Sequence, residues 1–409
     1  MTATSYPRNK LKILLLEGIN PASVEMFRLA GYTEVNVLKY APPEAELKKL
    51  IKDVHVLGIR SKTQLTENIF EGADKLMAIA AFCIGTNQID LKKATEKGIA
   101  VFNSPFSNTR SVAELVIALS IILMRRIYEK SVAAHAGGWL KDHSGAHEVR
   151  GKTLGIIGYG HIGSQVSVLA ESLGMNVIFY DIETKLSLGN ARPVNDLNQL
   201  LKQSDIITLH VPGTPLTKNI IDKKRMKFVK KGAVLLNLSR GDVMDVNEAA
   251  DAIKSGVLGG LAVDVFPDEP SAKGDKFISE LQGLPNVILT PHIGGSTEEA
   301  QVNIAADATN KLINFVETGS SNGSLSIPPL SLPVQQDAHR LLHIHKNVPG
   351  VLSEITSILS NLNVNILGQY LKTNEQVGYV VLDIDKKTSS KALEAMKKVK
   401  HTIKVRSLY

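Results

Sequence analysis

The chain has 409 residues, 44% of them hydrophobic and 21% charged, which is typical of a globular protein of two or three domains. Its longest apolar run, residues 115–124, is far shorter than the ~20 residues that span a bilayer, and the N-terminal segment lacks the apolar core of a signal peptide. A lone cysteine, Cys83, excludes an intramolecular disulfide and fits a reducing, cytoplasmic location. The net charge of +7 includes a lysine-rich stretch near the C-terminus without interleaved aromatic residues, which favours a solvated helix face over a nucleic-acid surface.

The first quarter of the chain alternates short apolar runs with helical stretches, a spacing typical of βα units. A single long amphipathic helix is predicted over residues 111–130. The predicted strands of this region cover residues 13–16, 35–38, 54–59, 77–81 and 100–102.

A glycine-rich turn then follows the apolar run at residues 154–157. Gly158 is suited to a tight turn, Gly160 to close approach of a pyrophosphate, and Gly163 to close packing of a helix on its strand. Asp181 ends the next apolar run, where a carboxylate can bind the adenosine ribose hydroxyls and would repel the extra phosphate of NADP. The pattern predicts an NAD-binding βαβ unit.

The middle of the chain continues the same alternation. Residues 177–180, 206–210, 233–237, 260–263 and 287–290 are predicted strands, which with the fingerprint strand make a doubly wound sheet of about six strands. A helix is predicted over residues 297–318. The segment 319–333, rich in Gly, Ser and Pro, is predicted to be a linker.

The last seventy residues show a different order of elements. Strands at 339–345, 364–371, 379–384 and 403–408 and helices at 350–361 and 389–399 give a βαββαβ order. This order predicts a separate, ferredoxin-like domain.

Three chemically competent residues follow successive predicted strands of the second sheet, where α/β proteins build their sites. Arg240 can bind a carboxylate bidentately, His292 can accept a proton, and Glu269 can orient the histidine. Taken singly, they would be interpreted as a surface ion pair, a polar residue before a helix and a solvated loop residue. Their position at successive strand ends after a nucleotide fingerprint favours the catalytic interpretation.

These residues, with the motifs Gly-Tyr-Gly-His-Ile-Gly and Pro-His-Ile-Gly-Gly-Ser, resemble the D-2-hydroxyacid dehydrogenase family. Segments 59–63, 82–87, 103–114 and 345–350 resemble its bacterial members that carry a C-terminal ACT domain. The resemblance implies a flavodoxin-like substrate-binding domain, a Rossmann-type NAD-binding domain and a ferredoxin-like ACT regulatory domain. The implied boundaries are 1–108 with 297–330, 109–296 and 338–409, respectively.

The resemblance also implies an activity, the NAD-dependent oxidation of 3-phospho-D-glycerate to 3-phosphohydroxypyruvate, which opens L-serine biosynthesis. It implies feedback inhibition by L-serine, a side activity of 2-oxoglutarate reduction and a homotetramer, with no metal, nucleic acid or membrane partner. The alternatives are a glyoxylate or hydroxypyruvate reductase and a non-catalytic NAD-sensing scaffold.

The resemblance carries residue roles with it. The implied catalytic set is Arg240, Glu269 and His292, and the implied substrate-binding set is Arg60, Ser61, Asn108 and Arg240. The implied cofactor-binding set is Gly158, Gly160, His161, Ile162, Gly163, Asp181, Leu238, Ser239, Arg240, Asp264, His292, Ile293, Gly294 and Gly295.

The serine site is expected to use His345, Asn347 and Asn365, whose side chains offer neutral donors and acceptors. Val348 stands where the resembled enzymes often carry arginine. Two structural alternatives remain open. Ser107 and Asn108 can cap the following helix. The asparagines of the ACT domain can be turn residues of a domain that serves only oligomerisation.

Overall fold

The structure, a computed structural model, describes residues 7–270, 275–334 and 337–408. The prediction about the N-terminal segment therefore falls partly outside the described residues. The chain divides into two compact units: unit 1 runs up to Ser107 and resumes at Gln301, and unit 2 covers Asn108–Ala300. None of the helices in the described residues is long and apolar enough to cross a membrane.

Unit 1 begins with an all-parallel sheet in the order β2-β1-β3-β4-β5, the flavodoxin-like arrangement. The order confirms the predicted substrate-domain fold. Its strands are β1 (Ile13–Leu15), β2 (Val35–Val37), β3 (Val56–Ile59), β4 (Ala78–Ala81) and β5 (Ala100–Asn103). Its helices are α1 (Pro21–Leu29), α2 (Glu44–Leu50), α3 (Glu67–Phe70) and α4 (Leu91–Glu96).

Unit 2 is a doubly wound sheet in the order β12-β11-β10-β9-β6-β7-β8, and every strand pair in it is parallel. The predicted sheet is confirmed, with one short edge strand, β8, that the sequence did not indicate. The helices are α5 (Thr109–Met124), α6 (Ile127–His135), α7 (His161–Ser172), α8 (Leu197–Gln203), α9 (Lys223–Met226) and α10 (Val246–Lys254). The strands are β6 (Thr153–Ile157), β7 (Asn176–Tyr180), β8 (Arg192–Pro193), β9 (Ile206–Leu209), β10 (Ala233–Asn237), β11 (Leu258–Val263) and β12 (Val287–Leu289).

The single helix predicted over 111–130 is wrong. The chain breaks between α5 and α6 because Arg126 adopts a left-handed backbone conformation, with φ of 54°. The Arg126 guanidinium donates to the Glu129 carboxylate at 2.8 Å, which bridges the start of the new helix. Helix α5 buries one face in the core, whereas α6 has no buried residue.

The linker predicted at 319–333 also needs correction. The segment follows α11 (Glu298–Thr318) without helix or strand, yet much of it is buried. Ser326 accepts a hydrogen bond from the Val101 amide at 2.9 Å and donates one to the Ile99 carbonyl at 2.7 Å. Its hydroxyl thereby satisfies backbone groups of the edge strand β5 that would otherwise stay unpaired. The segment is part of the folded unit.

The C-terminal part of unit 1 has the predicted βαββαβ order, an antiparallel sheet arranged β14-β15-β13-β16. One face of this sheet packs against its two helices, and the other joins the core that contains α11. The elements are β13 (His339–Lys346), α12 (Val351–Asn361), β14 (Ile366–Thr373), β15 (Val377–Ile384), α13 (Ser389–Met396) and β16 (Thr402–Leu408).

Candidate active site

The glycine turn after β6 has the geometry that its sequence predicts. Gly158 has φ of 93°, and a Cβ added there would lie 2.5 Å from the His210 carbonyl oxygen. A Cβ on Gly163 would lie 2.3 Å from the Gly158 carbonyl oxygen, so α7 needs glycine to sit this close. A Cβ on Gly160 would meet nothing within 4 Å, which leaves open space beside the N-terminus of α7. That end of the helix has no side-chain cap, so its backbone donors suit a phosphate.

Asp181 follows β7 directly and is fixed beside this turn. Its two carboxylate oxygens accept from the amides of Tyr159 at 2.8 Å and Glu183 at 3.0 Å. An ionised carboxylate has about four acceptor positions, so two hydrogen bonds leave capacity for ribose hydroxyls. The turn and the acid together fit a dinucleotide.

His292 and Glu269 lie within hydrogen-bond distance of each other. The histidine Nδ1 is 2.8 Å from one carboxylate oxygen of Glu269 and 3.0 Å from the other. Glu269 also accepts from the Phe266 amide at 3.1 Å, which fixes the carboxylate. The His292 side chain is 53% exposed, and its backbone φ of 54° is rare for a residue other than glycine. When Nδ1–H donates to the carboxylate, the neutral ring presents Nε2 as a proton acceptor.

Asp264, which is 1% exposed, holds the turn that carries His292. Its carboxylate accepts from the Thr290 hydroxyl at 2.6 Å and from the amides of Ile293 and Gly294, both at 2.8 Å. Sequence reasoning placed Asp264 beside the cofactor and missed this positioning role. No local pattern indicates it, because the acceptor precedes the turn by more than twenty residues.

Arg240 lies on the loop after β10, and a polar network shapes that loop. The Asn237 amide donates to the Arg240 carbonyl at 2.9 Å, and its oxygen accepts from the Ser239 hydroxyl at 3.0 Å. A Cβ on Gly241 would lie 2.1 Å from the Phe266 carbonyl carbon, so the loops after β10 and β11 touch through their backbones. Asn237 was not predicted from the sequence.

The three predicted catalytic residues thus follow three neighbouring strands of one sheet. Because β10, β11 and β12 are parallel, Arg240, Glu269 and His292 all lie beyond the carboxyl edge. This edge therefore carries a guanidinium, which can bind an anion, and an imidazole, which a carboxylate orients and which can accept a proton.

A half-buried histidine beside the glycine turn also escaped the sequence analysis. His210 follows β9, with Nε2 at 2.9 Å from the Thr208 hydroxyl and Nδ1 buried without a hydrogen-bond partner. Burial lowers the pKa of His210 to about 3, so the ring stays neutral at physiological pH. Its backbone carbonyl, and not its ring, is the group that lies against Gly158.

Arg60 and Ser61, predicted to bind phosphate, follow β3 in unit 1. The Arg60 guanidinium donates to the Gln301 side-chain oxygen at 2.9 Å, and its amide donates to Glu17 at 3.0 Å. The same Glu17 carboxylate accepts from the amides of Lys62 and Thr63, both at 2.9 Å. Glu17 and Gln301 were not predicted, although Glu17 lies just beyond β1, where α/β sheets place functional residues.

Asn108 opens unit 2 at the N-cap position of α5, but its side chain makes no capping hydrogen bond. The capping interpretation is therefore wrong for Asn108. Its side-chain oxygen is buried without a partner, and its nitrogen would be 2.1 Å from a Cβ at Gly295. Within unit 2, Asn108 therefore lies against the turn that carries His292.

The residues predicted to bind serine do not lie together in one chain. His345 pairs with Gly378 in the sheet, and the Asn347 side chain donates to the Asn374 carbonyl at 2.7 Å, at the same end. The Asn365 amide donates to Asp385 at 3.2 Å, beyond the opposite end of β15.

Two family models match this chain, one over the sheet of unit 2 and one over the ACT sheet. The model of the NAD-binding domain of D-isomer-specific 2-hydroxyacid dehydrogenases matches residues 117–294. A model of ACT domains like those of acetohydroxyacid synthase (AHAS) small subunits matches residues 341–404. The solved D-2-hydroxyisocaproate dehydrogenase aligns over 77% of this chain and 100% of its own, with a TM-score of 0.70 and 26% identity. The D-lactate dehydrogenase of Aquifex aeolicus, solved with NAD and lactic acid, aligns over 78% of this chain and 100% of its own, with a TM-score of 0.66 and 28% identity.

Curated relatives match the whole chain. D-3-phosphoglycerate dehydrogenase of Escherichia coli K12 is 50% identical over 411 residues, covering 100% of both chains. The enzymes of the same name from Haemophilus influenzae and Dictyostelium discoideum are 49% and 48% identical, each covering 99% of both chains. The protein is an NAD-dependent oxidoreductase with an ACT regulatory domain, and it belongs to the D-3-phosphoglycerate dehydrogenase family.

Proposed function

We propose that this protein oxidises the C2 hydroxyl of 3-phospho-D-glycerate to the ketone of 3-phosphohydroxypyruvate, the step that opens L-serine biosynthesis. The observation that carries the proposal is the His292–Glu269 pair, with Nδ1 and a carboxylate oxygen 2.8 Å apart at neighbouring strand ends. Full-length identity of about half to enzymes named for this substrate supports it. We also assign 2-oxoglutarate as a secondary substrate and the cytoplasm as the location; the lone cysteine fits a reducing compartment.

NAD, when bound, supplies the hydride acceptor. The turn of Gly158, Gly160 and Gly163 fits its pyrophosphate, because a Cβ would collide at the first and third positions and the second faces open space. Asp181 would hold the adenosine ribose and disfavour NADP. The other residues that we assign to the cofactor are His161, Ile162, Leu238, Ser239, Arg240, Asp264, His292, Ile293, Gly294 and Gly295.

His292 takes the proton of the substrate hydroxyl at Nε2 in the direction of oxidation. Its Nδ1–H then remains donated to Glu269, whose negative charge stabilises the imidazolium that forms. The Asp264 carboxylate accepts from the amides of Ile293 and Gly294, so the imidazole of His292 keeps its position during the proton transfer.

Arg240 binds the substrate carboxylate, for which a planar guanidinium is well suited. Arg60, Ser61 and Asn108 are assigned to the phosphate. The backbone around Arg60 supports this assignment. Its amide donates to Glu17 and its carbonyl accepts from Gln88, so the backbone is fixed and the guanidinium can exchange its contact with Gln301 for a phosphate.

A steady-state assay of NADH formation tests the proposal. We expect kcat/KM to be highest with 3-phosphoglycerate, lower with glycerate and lowest with lactate. Glyoxylate or hydroxypyruvate reduction at higher efficiency than phosphohydroxypyruvate reduction would instead support the reductase alternative. NAD binding without turnover of any of these substrates would leave the scaffold alternative.

We propose L-serine as the effector of the ACT domain. His345 and Asn347 lie at one end of the sheet and Asn365 at the other, so one small ligand that touches all three needs Asn365 from a second copy. Strand β14 is an edge of the sheet and has no buried residue, which suits pairing with a partner copy.

We propose a homotetramer joined through both the ACT domains and unit 2. The support in unit 2 is an apolar surface on and after α6, where the sole tryptophan, Trp139, is 84% exposed. Neighbouring exposed apolar side chains are Ile127, Tyr128, Val132 and Leu140. An exposed apolar patch of this kind marks an association surface.

A further inference from the structure

A half-open cavity of about 200 Å³ lies between the ACT sheet and the first sheet of unit 1. Its apolar wall is formed by Met77 before β4, Phe315 on α11, and Leu342 and Ile344 on β13. Gly98, before β5, also lines it. The volume is below the ~300–1,000 Å³ of pockets for drug-sized ligands, so only a small molecule fits.

Two cations of β16 also line this cavity. Lys404 and Arg406 are two residues apart on a strand, so their side chains leave the sheet on the same face. The Lys404 ammonium donates to the Leu76 carbonyl, which occupies one of its three N–H donors.

The Arg406 guanidinium is held in place but not saturated. Its Nη2 donates to the carbonyls of Phe315 at 2.8 Å and Val316 at 3.0 Å, and its Nη1 donates to the Met77 sulfur at 3.3 Å. The guanidinium lies over the Phe315 ring, 5.1 Å from the centroid. The Nε atom is buried and has no hydrogen-bond partner. A buried donor without a partner is uncommon in folded proteins and needs an explanation.

No carboxylate of the described residues forms an ion pair with either cation. The acids whose charges reach the two cations already have partners: Glu317 pairs with Arg8 and accepts from the Tyr32 hydroxyl, and Asp74 pairs with Lys97. Lys75, which also lines the cavity, pairs with Asp53. Burial lowers the pKa of Lys404 to about 8, and the charge of Arg406 adds to the effect. At pH 7 both groups still carry positive charge, which a bound anion would stabilise.

We propose that this cavity binds a small organic anion, a monocarboxylate with a short apolar body. The carboxylate would meet Lys404 and Arg406, and the carbon chain would contact Met77, Phe315 and Ile344. The mostly apolar wall favours such a ligand over an inorganic anion, which would leave that wall uncovered. Because the wall comes from both the first sheet and the ACT sheet, the ligand would stabilise their contact within unit 1.

Ligand-observed NMR titrations of the full-length protein at pH 7 test the proposal, with acetate, butyrate, hexanoate and inorganic phosphate as probes. We expect saturable binding that strengthens from acetate to hexanoate. Lys404→Gln should weaken hexanoate binding about tenfold, the usual loss for a charge-assisted hydrogen bond. The matched control is Lys97→Gln, which removes a neighbouring positive charge outside the cavity and should change the affinity by less than about twofold, because exposed charges are screened.

Ile344→Phe provides a second variant that keeps every charge and fills part of the cavity. It should weaken hexanoate more than acetate, and it decides the question if Lys404→Gln does not fold. The proposal is overturned if hexanoate does not bind saturably, if phosphate binds more tightly than hexanoate, or if Lys404→Gln and Lys97→Gln weaken binding equally. Binding of hexanoate to folded Ile344→Phe with wild-type affinity overturns it as well.

Discussion

The parallel sheet of unit 2 places its predicted site residues at one edge, whereas the antiparallel ACT sheet places its own at opposite ends. In unit 2, Arg240, Glu269 and His292 follow three neighbouring parallel strands, so one chain gathers them at one edge. In the ACT sheet, β13 and β14 both run antiparallel to β15, and Asn347 after β13 lies far from Asn365 before β14. A parallel sheet can complete a site within one copy, whereas the serine site that we propose on this ferredoxin-like sheet takes Asn365 from a second copy.

The largest effect is expected at His292, the residue of unit 2 that we assign to proton transfer. His292→Asn should lower kcat by about 10²–10⁴-fold, the usual contribution of general acid–base catalysis, because asparagine cannot accept the hydroxyl proton. Stopped-flow or steady-state rates of NADH formation measure the loss.

The control for this variant is NAD binding, measured by fluorescence, which should persist because the glycine turn and Asp181 are untouched and Asp264 still holds the His292 turn. Glu269→Gln, which keeps a hydrogen-bond partner for Nδ1 but removes its charge, should lose less activity than His292→Asn. A His292→Asn enzyme with near-normal turnover would refute the assignment of the base.

Arg60 extends the comparison to a residue of unit 1. Arg60→Ala should lower kcat/KM for 3-phosphoglycerate by roughly 10–100-fold, since a lost charge-assisted contact costs about 1.5–3 kcal/mol. Glycerate, which has no phosphate, should be affected far less. The backbone bonds of Arg60 to Glu17 and Gln88 survive the substitution, so the loop should keep its shape.

The matched control is Lys62→Ala on the same loop. Lys62 is exposed, and its amide likewise donates to Glu17, so the variant removes a positive charge without the assigned contact. If Arg60→Ala weakens both substrates equally, or if Lys62→Ala has the same selective effect, Arg60 does not recognise the phosphate.

The serine site that we propose between two copies makes a prediction about hybrid oligomers. Asn347→Ala and Asn365→Ala homo-oligomers should each lose serine binding and inhibition. In a hybrid of the two chains, one paired site carries both substitutions and the other carries neither. Calorimetry should therefore recover about half of the wild-type serine sites. Hybrids that bind no serine at all would mean that each site is built within one chain.

The sequence predicts the parts of the molecule that depend on local geometry. Gly158 and Gly163 are needed where a Cβ would collide within a short turn, and alternating apolar runs predict nearly every strand. No glycine or proline marks the break at Arg126, so the helical pattern of apolar residues predicts one uninterrupted helix there.

Long-range hydrogen bonds account for the other differences. Ser326 bonds to β5 more than two hundred residues earlier in the chain, so composition alone suggested a linker. Gln301 and Asp264 likewise owe their roles to distant partners, Arg60 and the His292 turn. The separation of Asn347 from Asn365 depends on strand order in the folded sheet.

The smallest effect that we predict concerns the pH dependence of ACT stability. His343 is fully buried on β13, with Nε2 at 2.9 Å from the Thr402 hydroxyl. Burial, with a smaller contribution from the neighbouring His345, lowers its pKa to about 4. The pKa of a histidine in the unfolded chain is about 6.5, so below that pH the unfolded chain takes up a proton that the folded chain does not. The stability from this group is therefore fully present above about pH 6.5 and is lost as the pH falls to about 4.

The contribution of one such group is about 1.4 kcal/mol per pH unit within this window. Denaturant unfolding of the full chain at pH 7, 6 and 5, followed by circular dichroism, measures it. His343→Gln removes the titration and should reduce the slope of unfolding free energy against pH. Equal slopes in His343→Gln and wild type would mean that another group, such as His210 of unit 2, dominates the acid sensitivity.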